Sequence, residues 1–296
     1  MTGQHSGGSA QPGAYLDTVT SDAATARDEP TASRHGPVAQ LLIALAPLSL
    51  ILLAYGLATW ISAPLEQRLG AGVNRLGFGV HVTGPARVDA WLFGAVPSVW
   101  LQERLVDGSG HWYDAAAALV YSTHFVAIPV VTALAWFRRR DRFTAWIAAV
   151  LAFTTVGVGG YVGYPAAPPW LASDLGEIGP VVRISALGWD YLHLDLPGRL
   201  TALGQDSSNP VAAMPSLHAG SAMLVALFLW PLASRAWRAV LIAYVVAMAV
   251  TLVYTGEHYV ADVVAGWLTA AVAVAVGAGL HHLRSQRRAK VEAGSA

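Results

Sequence analysis

The chain has 296 residues, of which 55% are hydrophobic and only 12% are charged, and its formal net charge at pH 7 is zero. This composition is too apolar for a soluble domain of this length and is typical of an integral membrane protein. The neutral charge gives no support for a nucleic-acid partner. The absence of cysteine excludes disulfides, thiolate metal sites and cysteine nucleophiles.

The N-terminal part of the chain divides into a polar tail and a first apolar run. Residues 1–37 are rich in Gly, Ser, Thr, Ala, Gln and Asp without apolar periodicity, which predicts a disordered tail. The run over residues 39–60 lies too far along the chain, and is too long, for a cleavable signal peptide. Its length is about that needed to cross a hydrocarbon core of ~30 Å, so it is the first predicted span.

A mixed stretch over residues 61–114 follows the first span. Within it, residues 88–105 place Trp91, Phe93 and Trp100 beside Asp89 and other polar residues. Tryptophan at headgroup level is typical of an interfacial amphipathic segment. A packed loop helix explains the same pattern equally well.

Five further apolar runs predict membrane-spanning helices, at residues 115–137, 143–162, 217–233, 239–254 and 259–280. The predicted fold is therefore an all-α bundle of six transmembrane helices with two long loops, of which the second covers residues 164–214. Most of the basic residues fall in the tails and the two short turns. The positive-inside rule then places both termini in the cytoplasm and both long loops outside. We further expect the loops to fold over the bundle, and the membrane to be a bacterial plasma membrane. The predicted divisions are a cytoplasmic tail (1–37), a six-span domain (38–282) and a basic cytoplasmic tail (283–296).

Two histidine motifs lie at the start of predicted helices on the same side of the membrane. His258 and Asp262 are four residues apart, so the carboxylate can accept a hydrogen bond from one imidazole nitrogen. This arrangement makes the other nitrogen a better nucleophile or base. Ser216 fits a helix N-cap with free N–H groups beyond it, which favours anion binding, and His218 in the first turn could donate a proton.

These motifs resemble the type 2 phosphatidic acid phosphatase superfamily. Pro215-Ser216-Leu217-His218 and His258-x-x-x-Asp262 are similar to its second and third signatures. Leucine between the serine and the histidine, and the segment Tyr164-Pro165-Ala166-Ala167-Pro168-Pro169-Trp170 in place of the first signature, are more similar to the inositol phosphorylceramide synthase-like branch. The resemblance covers residues 92–280. It implies a six-span enzyme that acts on lipid phosphates or phospholipids without a metal or another cofactor.

The resemblance also implies roles for particular residues. His258 would be the nucleophile that forms a phosphohistidine, Asp262 its orienting partner and His218 the general acid. Ser216 would contact the phosphate, and Tyr164 would contribute to substrate binding. The basic residues of the phosphatase signatures are absent, because residues 158–170 contain no Lys or Arg and Leu252 stands six residues before the nucleophile. Helix N-termini, or a loop arginine such as Arg183 or Arg199, would meet the phosphate charge instead.

Several alternatives stay open at this point. Ser216 and His258 could be the nucleophile and base of an intramembrane serine protease. His124, His218 and His258 could serve a transporter or a haem-binding helix bundle. Any one of these polar residues could also be an ordinary interfacial residue, and Ser216 only a helix cap. His124 is interpreted first as a bundle-facing histidine, and Glu257 as a solvated or ion-paired residue. The lipid, the acceptor and the oligomeric state are not predicted.

Overall fold

A computed structural model describes residues 36–62 and 72–294 of the chain. The chain divides into two compact units, residues 1–40 and residues 41–296. The first unit is described only at residues 36–40, which begin the first helix, so the predicted disordered tail lies almost wholly outside the described residues. The second unit holds all the elements discussed below.

The described residues form helices joined by short loops, with three isolated β-bridges and no strand. The all-α prediction is confirmed for this part of the chain. The helices are α1 (Pro37–Leu45), α2 (Ser49–Ser62), α3 (Gly84–Phe93), α4 (Pro97–Leu105), α5 (Trp112–Arg138), α6 (Arg140–Gly163), α7 (Pro169–Asp174), α8 (Leu187–Tyr191), α9 (Asp195–Asp206), α10 (Leu217–Leu229), α11 (Arg235–Tyr254) and α12 (Val260–Gly294).

Within the described residues, five helical segments are long and apolar enough to cross a membrane. The first, Pro37–Ser62, combines α1 and α2 and is interrupted by a 3₁₀ turn over Ala46–Leu48, where Pro47 lacks the N–H that a continuous helix needs. The others correspond to α5, α6, α11 and α12. The fourth predicted span, over residues 217–233, corresponds to α10, which with its 3₁₀ extension is a shorter apolar helix over Leu217–Leu232. The chain is thus an integral membrane protein, and its described residues include five candidate spans and one shorter apolar helix.

Helix α12 differs most from its predicted boundary, because it continues to Gly294 instead of ending near residue 280. Residues 281–293 contain no glycine or proline, so no residue in this stretch breaks the helix. The predicted basic tail over 283–296 is therefore largely helical where it is described.

The bundle is organised around α10, which packs against α5, α11 and α12, while α12 also packs along α6. Close crossings depend on glycine. A Cβ atom on Gly266 of α12 would collide with the carbonyl oxygen of Ser216, and one on Gly220 of α10 would lie 2.8 Å from the carbonyl oxygen of Gly266. Small residues let helix backbones approach closely in membrane proteins. The crossing brings the first turns of α10 and α12 together at one end of the bundle, here called the histidine end.

The loop segments at the histidine end contain α3, α4 and α7–α9. The predicted segment 88–105 consists of α3 and α4, separated at Gly94, which has a positive φ of 75°. Trp91 is 83% exposed, as an interfacial residue would be, whereas Gln102 is buried and donates to the carbonyl oxygens of Val182 and Tyr254. The segment therefore combines features of both predicted alternatives.

Candidate active site

His258 lies in the turn between α11 and α12. The N–H groups of Glu257 and His258 both donate to the carbonyl oxygen of Leu252, at 3.0 and 3.2 Å. The turn needs glycine at position 256, where φ is +74° and a Cβ would lie 2.9 Å from the carbonyl oxygen of Val182. These contacts fold the turn back onto the bundle and leave His258 only 4% exposed.

Asp262, in the first turn of α12, is fully buried beside His258. Its Oδ2 lies 3.6 Å from His258 Nδ1 and accepts the N–H of Tyr259 at 2.9 Å. The His–Asp distance is slightly longer than a hydrogen bond, and neither His258 Nδ1 nor Asp262 Oδ1 has another hydrogen-bond partner among the described residues. The carboxylate is thus free to tighten onto the imidazole, as catalytic hydrogen bonds often do when substrate binds.

The first histidine motif meets the second directly. Ser216 is the N-cap of α10, where its Oγ accepts the N–H of Ala219 at 3.2 Å and its own N–H donates to the Asp262 carbonyl oxygen at 3.0 Å. His218 Nδ1 lies 3.3 Å from His258 Nε2. One nitrogen of His258 therefore faces Asp262, and the other faces His218.

The third segment, which replaces the first signature, contacts both motifs through its backbone. Ala166 donates to Val211 at 2.8 Å and accepts from Ala213 at 3.2 Å, three residues before Ser216. The N–H of Trp170 donates to the carbonyl oxygen of Gly256 at 3.2 Å, two residues before His258. Its proline-rich backbone therefore helps to position both histidine turns.

Tyr164 ends α6 at the start of this segment. Its ring stacks on His81, with ring centroids 3.7 Å apart and planes at 8°. Burial, with a smaller contribution from the charge of Asp262, raises the pKa of the Tyr164 phenol. Tyr164 therefore lies within electrostatic range of Asp262.

Arg183 and Arg199, the two predicted phosphate-binding arginines, have different surroundings. Arg183 donates from Nε and Nη2 to the two carboxylate oxygens of Glu257, both at 2.9 Å, and its side chain is only 20% exposed. It also lies 5.2 Å from the centre of the Trp170 ring. Arg199, on α9, is exposed and has no hydrogen-bond or ion-pair partner in the described part of the chain. Glu257 is 5% exposed, so it is a buried ion-pair partner and not a solvated residue.

His124 belongs to the same cluster, although the sequence favoured only a bundle-facing role. Its ring centroid lies 4.2 Å from that of His218. Ser221 Oγ donates to the His218 carbonyl oxygen at 2.9 Å and lies 2.9 Å from His124 Nδ1. Because the single hydroxyl proton is used by the carbonyl, His124 Nδ1 must donate to Ser221, and His124 Nε2 then carries the lone pair. Tyr121, which lies on α5 like His124, also stacks on His218, with ring centroids 5.1 Å apart.

Asp89 is a buried site residue that sequence reasoning missed. The carboxylate is fully buried, and its two oxygens accept the N–H groups of Val260 and Ala261 at 2.8 and 2.9 Å. These N–H groups open α12, two and three residues after His258. Burial raises the pKa of Asp89 to about 6. The only sequence signal was a carboxylate next to an apolar segment; its partner lies 171 residues away.

The geometry of the site argues against two of the alternatives, the intramembrane serine protease and the haem-binding bundle. Ser216 Oγ is committed to capping α10, and the nearest side-chain partner of His258 is His218 and not Ser216. This disfavours a serine–histidine nucleophilic pair. The ring centroids of His124 and His218 are 4.2 Å apart, and those of His218 and His258 are 5.4 Å apart. These spacings leave no room for a haem plane between the rings.

An apolar helical bundle that holds a His–Asp pair against a second histidine at a helix N-terminus defines a membrane protein with a histidine-centred site. Residues 86–276 match the family model of the PAP2 superfamily, the type 2 phosphatidic acid phosphatases, and the chain belongs to this family. The family prediction is confirmed.

A curated protein of Bacteroides thetaiotaomicron, named phosphoinositol dihydroceramide synthase, is 30% identical to the chain over 178 residues. The match covers 53% of the chain and 53% of that protein, so the chain spans about half the length of this relative. The similarity supports the predicted inositol phosphorylceramide synthase-like branch. No solved structure matches the chain at a comparable level of significance.

Proposed function

We propose that this protein is a membrane enzyme that cleaves a lipid phosphoester through a phosphohistidine on His258 and transfers the phosphoryl or phospho-headgroup to water or an alcohol. The observation that carries the proposal is the position of His258, with Nδ1 toward Asp262 and Nε2 toward His218. A nucleophilic imidazole needs one nitrogen oriented by a hydrogen-bond acceptor and the other open to the reacting atom. Family membership supports the same reaction class.

In the first step His258 Nε2 attacks the phosphorus, the phosphorus–oxygen bond to the leaving group breaks, and protonated His218 gives its proton to the departing oxygen. Asp262 holds the Nδ1 proton and stabilises the positive charge that develops on the ring. In the second step His218, now neutral, takes the proton of the acceptor hydroxyl as the acceptor oxygen attacks phosphorus. The phosphorus–nitrogen bond then breaks and His258 is regenerated. No step requires a metal ion.

The charge around the site favours a phosphodiester over a monoester. Arg183 is the arginine held beside the His258 turn, and Glu257 already occupies its Nε and Nη2. Its net contribution to phosphate binding is therefore smaller than that of an unpaired arginine. The N–H group of His218, in the first turn of α10, has no partner in the described part of the chain. A helix N-terminus of this kind can bind one phosphate oxygen without a full positive charge.

The name of the Bacteroides relative, a synthase, supports transfer to an alcohol over hydrolysis. Under this proposal a phospholipid donates its phospho-headgroup and a lipid alcohol accepts it. The distribution of basic residues supports a site on the extracytoplasmic face of a bacterial plasma membrane, with both termini in the cytoplasm.

The proposal is tested by incubating purified protein with mixed anionic phospholipids and prenyl phosphates, with and without inositol, glycerol or ceramide, and analysing products by mass spectrometry. We expect an acceptor-dependent lipid product, resistant to EDTA, that His258→Ala reduces at least a thousandfold. His282→Ala is the matched control, because His282 is exposed on the distal part of α12. Product formation that survives His258→Ala would refute the phosphohistidine.

A further inference from the structure

Helix α9 (Asp195–Asp206) carries an apolar stripe on its outer face. Leu196, Leu200 and Leu203 are spaced by four and three residues, which places them on one side of a helix. They are 67%, 60% and 64% exposed. No other described residue covers this stripe, here called the leucine stripe.

The opposite face of α9 is polar and packs on the protein. Thr201 Oγ1 accepts the indole N–H of Trp189 at 3.1 Å. Gln205 donates to Glu257 Oε1 at 3.3 Å, and its carbonyl oxygen accepts from Arg183 at 3.3 Å. A helix on the surface of a soluble protein has the reverse arrangement, with apolar residues inward and polar residues outward. Polar inside and apolar outside is the arrangement expected of a helix that contacts hydrocarbon.

The position of α9 next to a candidate span also supports contact of this helix with hydrocarbon. Asn209 lies three residues after α9. Its backbone N–H donates to Tyr55 Oη at 3.1 Å, and its Nδ2 donates to Ser62 Oγ at 3.2 Å. Tyr55 and Ser62 lie on the last two turns of α2, about 10 Å apart along the axis. The outward side chains of α2, such as Leu52 and Leu57, are 76% and 56% exposed. The leucine stripe therefore continues the apolar surface at the histidine end of a candidate span.

We propose that α9 is a membrane-docking helix whose leucine stripe lies in the lipid leaflet at the histidine end. Asp195, Arg199 and Asp206 flank the stripe on one side, where charged groups can stay among the headgroups. Through Gln205 the docked helix contacts Glu257, the neighbour of His258. The partner is the bilayer itself, and the inference does not depend on the proposed reaction.

The test uses the absence of cysteine from the chain, which allows single spin labels without removing native residues. Leu200→Cys and Leu203→Cys are labelled with a nitroxide in the full protein, in nanodiscs of phosphatidylglycerol and phosphatidylcholine. Accessibility is measured to oxygen, which concentrates in hydrocarbon, and to a water-soluble nickel chelate. Ala202→Cys, exposed on α9 but outside the leucine stripe, is the matched control.

We expect the ratio of oxygen to nickel accessibility at positions 200 and 203 to exceed that at position 202 by threefold or more. Equal ratios at the three positions, with high nickel accessibility, would overturn the proposal by placing the leucine stripe in water. Low accessibility to both reagents with dipolar broadening between labels would also overturn it, by showing a second copy of the chain on the stripe. The measurement needs no enzymatic activity, so its outcome is separate from that of the proposed function.

Discussion

At the scale of single residues, Asp89 is the group whose ionisation should be visible in the pH dependence of activity. Its pKa is raised to about 6 by burial, and the nearby Asp262 adds to this effect. Above this pH both carboxylate oxygens accept N–H groups of α12; when the group is protonated, one oxygen becomes a donor and one N–H loses its partner. We therefore expect kcat to fall as the pH decreases through about 6.

The Asp89→Asn variant imitates the protonated carboxyl at all pH values. It should lower kcat about tenfold at neutral pH, equivalent to a rise of roughly 1.4 kcal/mol in the activation free energy. It should also lose the part of the decrease in kcat at acid pH that protonation of Asp89 causes. A pH–rate profile of both proteins checks this. Asp114→Asn is the matched control, because Asp114 is also buried and caps the start of α5. An unchanged acid limb in Asp89→Asn would contradict the prediction.

Stability should not follow the same pH dependence. The folded-state pKa of Asp89 is raised above its usual value of 3.8, so ionisation of this group opposes folding. Its favourable contribution is fully present below the usual pKa and is lost as the pH rises through about 6. Loss of activity near pH 5.5 without a lower melting temperature would therefore identify repositioning of the His258 turn and not unfolding.

The Arg183–Glu257 ion pair, which lies beside His258, should contribute to the stability of the folded protein. Both side chains are largely buried, at 20% and 5% exposure, and the contact is bidentate. Removing one partner of such a pair leaves an uncompensated charge, so Arg183→Ala should lower the free energy of unfolding by about 3 kcal/mol. Arg183→Lys should recover little, because an ammonium group cannot form the two-pronged contact.

Denaturant titration of a double-mutant cycle, Arg183→Ala with Glu257→Gln, measures the coupling between these two residues. The exposed pair Arg139–Asp141 provides the control, and Arg139→Ala should leave stability unchanged within error. Additive effects of Arg183→Ala and Glu257→Gln would show that the pair is not coupled.

Contacts between site residues could be predicted from the sequence where the two partners are close along the chain. His258 and Asp262 are four residues apart, so their contact follows from the geometry of one helical turn. His218 could be placed near them because both helices are predicted to start on the same side of the membrane. The contacts of Asp89 with Val260 and of Arg183 with Glu257 join residues 171 and 74 positions apart. Such contacts depend on how the loops pack, which no local pattern in one sequence specifies.

At the scale of elements, the crossing of α10 and α12 should tolerate no side chain at Gly266. A methyl group there would collide with the carbonyl oxygen of Ser216, which is backbone and cannot rotate away. Gly266→Ala should cost about 1–3 kcal/mol of stability and displace the Ser216 turn from His258. Thermal unfolding in detergent and the activity assay report the two effects. Gly279→Ala, on the same helix in open space, should show neither loss.

Long apolar runs predicted the membrane helices well, whereas the short helices escaped detection. Helices α7 and α8 have six and five residues, too few to show a periodicity or to be stable alone. They form because the protein surrounds them; Gly188 of α8, for example, sits where any side chain would collide with the backbone of α5. The break between α1 and α2 could have been read from Pro47, since proline interrupts the hydrogen bonds of a helix.

At the scale of the whole molecule, the topology depends on whether α10 crosses the membrane. Its 13 residues extend about 20 Å, less than the ~30 Å of a hydrocarbon core. However, seven of these residues are buried by neighbouring helices, so α10 does not need to match the lipid thickness. The irregular backbone before Ser216 is also buried in protein, and such backbone is tolerated at membrane depth. A crossing by α10 gives six spans and places both termini on the same side.

Cysteine accessibility tests this topology, again using the cysteine-free chain. Ser207→Cys, after α9, and Arg235→Cys, at the start of α11, are exposed positions on either side of α10. With six spans, an impermeant maleimide should label the first variant in intact cells and the second only after permeabilisation. If α10 does not cross, both variants must react from the same side, because no other candidate span lies between them. Labelling of Ser207→Cys from outside would also place the histidine end there, since α9 contacts the His258 turn through Gln205 and Glu257.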